Sequence, residues 1–136
     1  MKKKARTEGR PVEKASLGRQ VKVLIVEDEP NAREASRLYL SHCGFDVSTA
    51  ANAASAIQQA NQHQPDVLVS DWRLGDGGDG VEVAREIQGR YSTPLIFVTA
   101  HPVDELVEAT AGLTVSRYLK KPVSLAVLAE AILETA

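Results

Sequence analysis

Val21-Lys22-Val23-Leu24-Ile25-Val26 is rich in β-branched residues and runs straight into Glu27-Asp28-Glu29-Pro30. An almost unbroken apolar run of this length is the composition of a parallel strand buried on both faces. Pro30 suits the first helical position, where its missing N–H costs no hydrogen bond. Ala35, Leu38 and Tyr39 then recur at i, i+3 and i+4, which predicts them as the inner face of that helix. The stretch is a strand, an acidic turn and a helix.

The same alternation continues to the end of the chain. Gly44 stops the first helix. Phe45 to Ala50 reads as a second, more polar strand, suited to a sheet edge, and Asn52 as the N-cap of a helix with Ala53, Ala56, Ile57 and Ala60 inward. Pro65-Asp66 breaks the chain before a third strand, Val67-Leu68-Val69-Ser70. A Gly/Asp loop, Gly75 to Asp79, leads into a helix with Val81, Val83, Ala84 and Ile87 as its core residues. Pro94 opens the strand Leu95-Ile96-Phe97-Val98, which ends at Thr99-Ala100. A weaker helix follows around Asp104 to Ala111, and Val115 to Leu119 is the last strand. Leu125, Leu128, Ala129, Ile132 and Leu133 give a final amphipathic helix. Five βα units in series predict an α/β fold: a parallel sheet with helices on both faces.

Composition narrows the function. A chain of 136 residues favours one core. Residues 1–20 hold seven Lys or Arg against two Glu, a balance of +5, while the rest carries 9 basic and 16 acidic side chains, a balance of −7. The expected organisation is therefore a basic, disordered leader over 1–20 and one acidic domain over 21–136. Such a body repels a phosphate backbone, so the domain is not expected to bind nucleic acid. Apolar runs such as Val23 to Val26 are too short to span a bilayer, and no membrane association is expected. Cys43, the one cysteine, cannot form an internal disulfide, so a cytoplasmic setting is the default. His42, His63 and Cys43 are too scattered to make a metal site and read as helix-face or capping residues.

In a doubly wound sheet, functional groups gather at the C-terminal ends of the strands. Here those ends carry Glu27-Asp28-Glu29, Asp71, Thr99 and Lys120-Lys121-Pro122. Glu27, Asp28 and Asp71 brought together repel one another, which raises pKa values unless a cation enters. Hard oxygen ligands in a small acidic nest suit Mg²⁺, which often pairs with a phosphate oxygen. A carboxylate can be phosphorylated to a mixed anhydride when a metal and a cation neutralise the incoming oxygens. Thr99 adds a neutral donor and Lys121 a point charge, so the set suits phosphoryl transfer onto Asp71. Lys120 reads as solvated, because adjacent strand residues face opposite ways.

The segments Val26-Glu27-Asp28-Glu29, Ser70-Asp71-Trp72, Val98-Thr99-Ala100 and Tyr118-Leu119-Lys120-Lys121-Pro122 together resemble the signature of bacterial response-regulator receiver domains, over about residues 21–136. The resemblance implies a flavodoxin-like, five-stranded sheet of order 2-1-3-4-5. It makes Asp71 the phosphoacceptor, Asp28 the direct Mg²⁺ ligand, Glu27 its neighbour acting through water, and Arg73 the donor of a backbone carbonyl to the metal. Thr99 matches the switch hydroxyl, the Ala100 backbone and Lys121 the phosphate-binding groups, and Tyr118 the aromatic that turns inward on activation. It implies a Lys121–Pro122 bond that is often cis. The implied partner is a histidine kinase or histidine phosphotransfer protein, with a possible homodimer through the last two βα units. The expectation is a switch with weak self-catalysis, not a turnover enzyme. By the same alignment Arg73 and His101, two residues past Asp71 and Thr99, flank the path of water to the phosphorus and would set how long the phosphoryl group survives.

The pattern departs from the family in two places. The Asp71-to-Gly80 loop is one residue longer than the commonest form, with Gly75 in place of a usual proline, and Gly112-Leu113-Thr114-Val115 lacks the usual Gly-Ala pair, which predicts a shorter fourth helix. Three other readings fit the residues less well. Gly75-Asp76-Gly77-Gly78-Asp79-Gly80 satisfies G-x-G-x-x-G, the pattern of dinucleotide enzymes, but follows the third strand and puts Asp76 and Asp79 where a pyrophosphate would lie. An aspartyl phosphatase favours a second carboxylate where this chain has Arg73. A pseudo-receiver, an unphosphorylated protein-binding scaffold, would not need Asp28, Asp71, Thr99 and Lys121 together.

Overall fold

Five short strands and five helices alternate along the chain in a computed structural model that describes residues 20–75 and 78–136. Residues 1–19, nearly all of the expected leader, and Asp76 and Gly77 lie outside the described residues. The elements are β1 Lys22–Val26, α1 Pro30–His42, β2 Asp46–Ala50, α2 Ala53–His63, β3 Val67–Asp71, α3 Gly80–Tyr91, β4 Leu95–Thr99, α4 Val103–Ala109, β5 Val115–Lys120 and α5 Leu125–Thr135. All strands pair in parallel in the order β2-β1-β3-β4-β5, so the chain reverses direction across the sheet between β1 and β3. β2 lies at the edge, as its polar sequence requires. Phe45, expected within it, instead precedes it and is buried.

The central strands β1, β3 and β4 are apolar along both faces, and two separate cores form on them. One packs Leu24, Val26, Leu68 and Phe97 against Ala56, Ala60, Val83, Ala84, Ile87 and Leu106. The other packs Val23, Ile25, Val69 and Ile96 against Leu40, Leu128, Ala131 and Ile132. Strand alternation sends neighbouring residues to opposite cores, which is why these strands read as unbroken apolar runs. Side-chain oxygens of Glu29, Asn52, Asp79 and Ser124 cap α1, α2, α3 and α5. Pro102 gives α4 no such cap, and that helix is the shortest at seven residues, as the missing Gly-Ala pair predicts.

Two helix faces differ from expectation. On α1, Leu38 is 55% exposed and Ala35 is exposed, while Leu40 is buried and Tyr39 is half-buried. The inner face runs through Ser36, Leu40 and Cys43, and a polar Ser36 at its centre hides it from an apolar count. On α5, Leu133 is exposed and Ala131 takes the buried place.

Candidate functional site

β1, β3, β4 and β5 deliver their final residues to one rim. β1 pairs with β3 so that Val26 lies beside Ser70, and β3 with β4 so that Asp71 lies beside Val98. Glu27 and Asp28 therefore leave β1 just where Asp71 ends β3. One ligand oxygen from each of Glu27, Asp28 and Asp71 falls within 4.8 Å of the others, the spacing of a group able to hold a metal ion. Asp71 is buried, at 7% exposure, whereas Glu27 and Asp28 are partly open.

Lys121 is the cation of this nest. Its Nζ lies 2.9 Å from Asp71 Oδ1 and 3.5 Å from Glu27 Oε1. One ammonium among three carboxylates leaves a net negative site. Burial pushes the Asp71 carboxyl up to about 7, the Lys121 hydrogen bond opposes this, and the Glu27 charge adds to it. Burial draws the Lys121 ammonium down, but hydrogen bonding and attraction to Asp71, with Glu27, outweigh it and leave the ammonium raised. The excess negative charge and the hard oxygen donors fit a divalent cation such as Mg²⁺.

The loop after Asp71 folds back on itself. Arg73 and Asp79 form an antiparallel bridge, with Leu74 N–H donating to the Gly78 carbonyl and Gly80 N–H to that of Trp72. Gly75 sits against Asp28, and a Cβ there would collide with Asp28 Oδ2. The glycine that stands in place of the usual proline thus gives the Asp28 carboxylate its space. At Gly80 a Cβ would meet the Asp71 carbonyl, so α3 can start this close to β3 only with glycine. Two of the glycines that mimic a dinucleotide motif, Gly75 and Gly80, are thus explained by close contact with Asp28 and with the Asp71 backbone.

The Arg73 guanidinium lies over the Trp72 indole, 4.2 Å from the ring centroid, and 4.0 Å from Asp79 Oδ2. His101 meets the edge of the same indole, with centroids 5.8 Å apart. Arg73 and His101 thus flank Trp72, which is buried in the core beneath them. Thr99 is buried at the end of β4, and its Oγ1 accepts the His101 N–H at 2.9 Å. Tyr118 is half-buried, stacks on Phe97, and shares a 2.6 Å hydrogen bond with Thr110, the C-cap of α4. The Lys121–Pro122 peptide is cis. His42 and His63 are exposed helix residues, and Cys43 is a buried free thiol.

Two basic residues play parts that their sequence positions alone did not reveal. Arg33 Nη1 donates to the carbonyls of Glu27 at 2.9 Å and Asp28 at 3.3 Å, fixing the turn that presents both acids. Its place on the first turn of α1 was the available signal. Lys120, expected to be solvated, donates to the carbonyls of Ala100 at 2.6 Å and His101 at 3.3 Å. Its side chain does leave the Asp71 rim, but it folds onto the loop after β4.

Comparison with known proteins agrees with this fold. The profile of the response regulator receiver domain matches residues 23–133. The transcriptional regulatory protein TrcR of Mycobacterium tuberculosis is 36% identical over 111 residues, which make up 79% of this chain and 42% of TrcR. The chain therefore spans less than half the length of that relative. Among solved structures, the signal receiver domain of a modulated diguanylate cyclase from Desulfovibrio desulfuricans superposes with a TM-score of 0.77 at 30% identity, covering 86% of this chain and 94% of that one. A response regulator receiver domain protein from Clostridium thermocellum shares the fold, with a TM-score of 0.76 at 24% identity over 85% of this chain and 93% of its own. The protein is a member of the response regulator receiver domain family.

Proposed function

We propose that this receiver domain accepts a phosphoryl group from a phosphohistidine onto Asp71, with Mg²⁺, and passes the event to a partner-binding face. The observation that carries the proposal is the convergence of Glu27, Asp28 and Asp71 with Lys121, which bonds Asp71 directly. Glu27, Asp28, Asp71 and the Arg73 carbonyl would hold the metal, whose charge offsets the repulsion between carboxylate and phosphoryl oxygens. In the transfer, a carboxylate oxygen of Asp71 attacks phosphorus, an O–P bond forms, and the N–P bond breaks with its electron pair kept by the imidazole. Lys121, freed from Asp71 by the new anhydride, pairs with a phosphoryl oxygen, and the Thr99 hydroxyl and Ala100 N–H donate to others. Movement of Thr99 then lets Tyr118 turn inward and remodels the face formed by α4, β5 and α5.

A groove of about 560 Å³ opens at this site, lined by Ala32, Ala35 and Ser36 of α1, by Leu125 and Leu128 of α5, and by Asp71 and Lys121. Its apolar walls suit the helix of a histidine kinase or phosphotransfer protein that presents its phosphohistidine to Asp71. Exposed Val107 and Val127 on α4 and α5 support the homodimer expected at the remodelled face. No helix among the described residues is long and apolar enough to cross a membrane. Without a second catalytic carboxylate beside Asp71 at position 73, the site is better suited to holding a phosphoryl group than to turning one over. The test is transfer from autophosphorylated histidine kinases of the same genome. One kinase should pass its label to the native chain within seconds and none to Asp71→Asn, whereas equal labelling of both proteins would refute the assignment.

A further inference from the structure

The peptide between Ala100 and His101 is held at both ends. Its carbonyl accepts the Lys120 ammonium at 2.6 Å, and its N–H donates to Thr99 Oγ1 at 2.9 Å. The β4–β5 register makes this possible, because Lys120 pairs directly with Thr99 and the Lys121 N–H donates to the Thr99 carbonyl at 2.8 Å. A cation on a peptide carbonyl polarises the whole unit and strengthens its N–H as a donor. The Thr99 hydroxyl is the acceptor of that strengthened bond, an ST-turn contact spanning two residues. A second contact, from Lys120 to the His101 carbonyl at 3.3 Å, keeps the next peptide in line.

We propose that Lys120 is a positioning residue for the Thr99 switch, acting through the Ala100–His101 peptide to hold the hydroxyl in its resting orientation. The inference rests on the phosphoacceptor reading of Asp71, but its structural part stands apart from phosphorylation. For Thr99 to turn toward a phosphoryl oxygen, its hydroxyl must give up the His101 N–H. Lys120 makes that bond stronger and so biases the switch toward rest. Lys121, one residue on, belongs to the acidic nest. Adjacent lysines at the end of β5 and just beyond it thus act on opposite sides of the switch, one on the loop and one on the carboxylate.

Lys120→Met keeps the apolar stem and removes the cation from an exposed position, so the fold is retained. Two measurements test the proposal in the native chain, Lys120→Met, Thr99→Val and the double variant. Hydrogen exchange of the His101 amide, without metal or phosphate, should be severalfold faster in Lys120→Met than in the native chain, and Lys120→Met should bring no further gain in the Thr99→Val background. Binding of beryllofluoride, a phosphoryl mimic, in Mg²⁺ should be severalfold tighter in Lys120→Met, and that gain should vanish in the Thr99→Val background. A lysine that merely attracts the anion would instead weaken binding when removed, in both backgrounds. Unchanged His101 exchange in Lys120→Met, or a binding effect independent of Thr99, would overturn the proposal. A native chain that binds no beryllofluoride would count against the phosphoacceptor reading, while the exchange comparison still decides the role of Lys120.

Discussion

Gly75 lies so close to Asp28 that a single methyl group on the glycine would displace the Asp28 carboxylate. The contact links the longer loop after β3 to the acidic turn after β1, two segments 47 positions apart in sequence. Gly75 does not adopt a left-handed φ, so alanine suits its backbone, and the obstacle is the end of a flexible side chain. Gly75→Ala should therefore leave the fold intact and weaken Mg²⁺ binding severalfold. Trp72, the only tryptophan and next to Asp71, reports it: its fluorescence should respond to Mg²⁺ in the low-millimolar range in the native chain. The response should move to higher concentration in Gly75→Ala and disappear in Asp28→Ala. A titration unaltered in both variants would put the metal elsewhere.

Charge repulsion in the nest should appear as a stability cost. Lys121 neutralises one of the three carboxylates, so Asp28→Ala or Asp71→Asn should raise stability without metal by about 1 kcal/mol. Urea unfolding in a chelator measures it. A clear loss of stability in both variants would contradict the acidic nest.

The raised Asp71 carboxyl gives that cost a pH dependence. A carboxyl that titrates near 7 when folded, against 3.8 ordinarily, binds its proton more tightly in the folded state. Its contribution is fully present below the unfolded value and is lost as pH rises through the folded one. Metal-free native protein should therefore lose stability between about pH 4 and 7 relative to Asp71→Asn. Paired denaturation curves across that window test this, and parallel profiles would mean that Asp71 is not a perturbed carboxyl.

Arg73 and His101 should govern how long a phosphoryl group lasts. The guanidinium rests on Trp72, a contact worth about 0.5–1 kcal/mol at an exposed site, small enough to be exchanged for a phosphoryl oxygen. A guanidinium can screen the anion without offering a lone pair to activate water. Arg73→Ala should shorten the lifetime several-fold, corresponding to roughly 1 kcal/mol in the hydrolysis barrier. Phosphate release is compared for the native chain, Arg73→Ala, His101→Ala and the double variant. Indistinguishable rates in all four would assign the lifetime to the metal, Thr99 and Lys121 alone.

Much of this arrangement was legible in the sequence, because parallel strands buried on both faces leave unmistakable β-branched runs. The residues that end those runs, Glu27, Asp28, Asp71, Thr99 and Lys121, are the ones that the sheet brings to one rim. The strand order itself came from resemblance, since alternating strands and helices do not dictate which strands are neighbours. The face of α1 was misread because Leu38 outweighs Ser36 on any apolar scale, although Ser36 faces inward beside the groove. The straps made by Arg33 and Lys120 were not legible. Each depends on a long side chain reaching a backbone carbonyl, and carbonyls are the same at every residue. The fit of Gly75 against Asp28 depends on the path of a loop longer than the usual one, which only coordinates reveal.

The central claim is that Asp71 takes up a phosphoryl group. Its most direct measurement is the intact mass of the purified chain after incubation with Mg²⁺ and acetyl phosphate. The native chain should gain one phosphoryl group, and the gain should be lost in Asp71→Asn and when Mg²⁺ is chelated. A native chain that gains nothing, or an Asp71→Asn variant that gains as much, would contradict it.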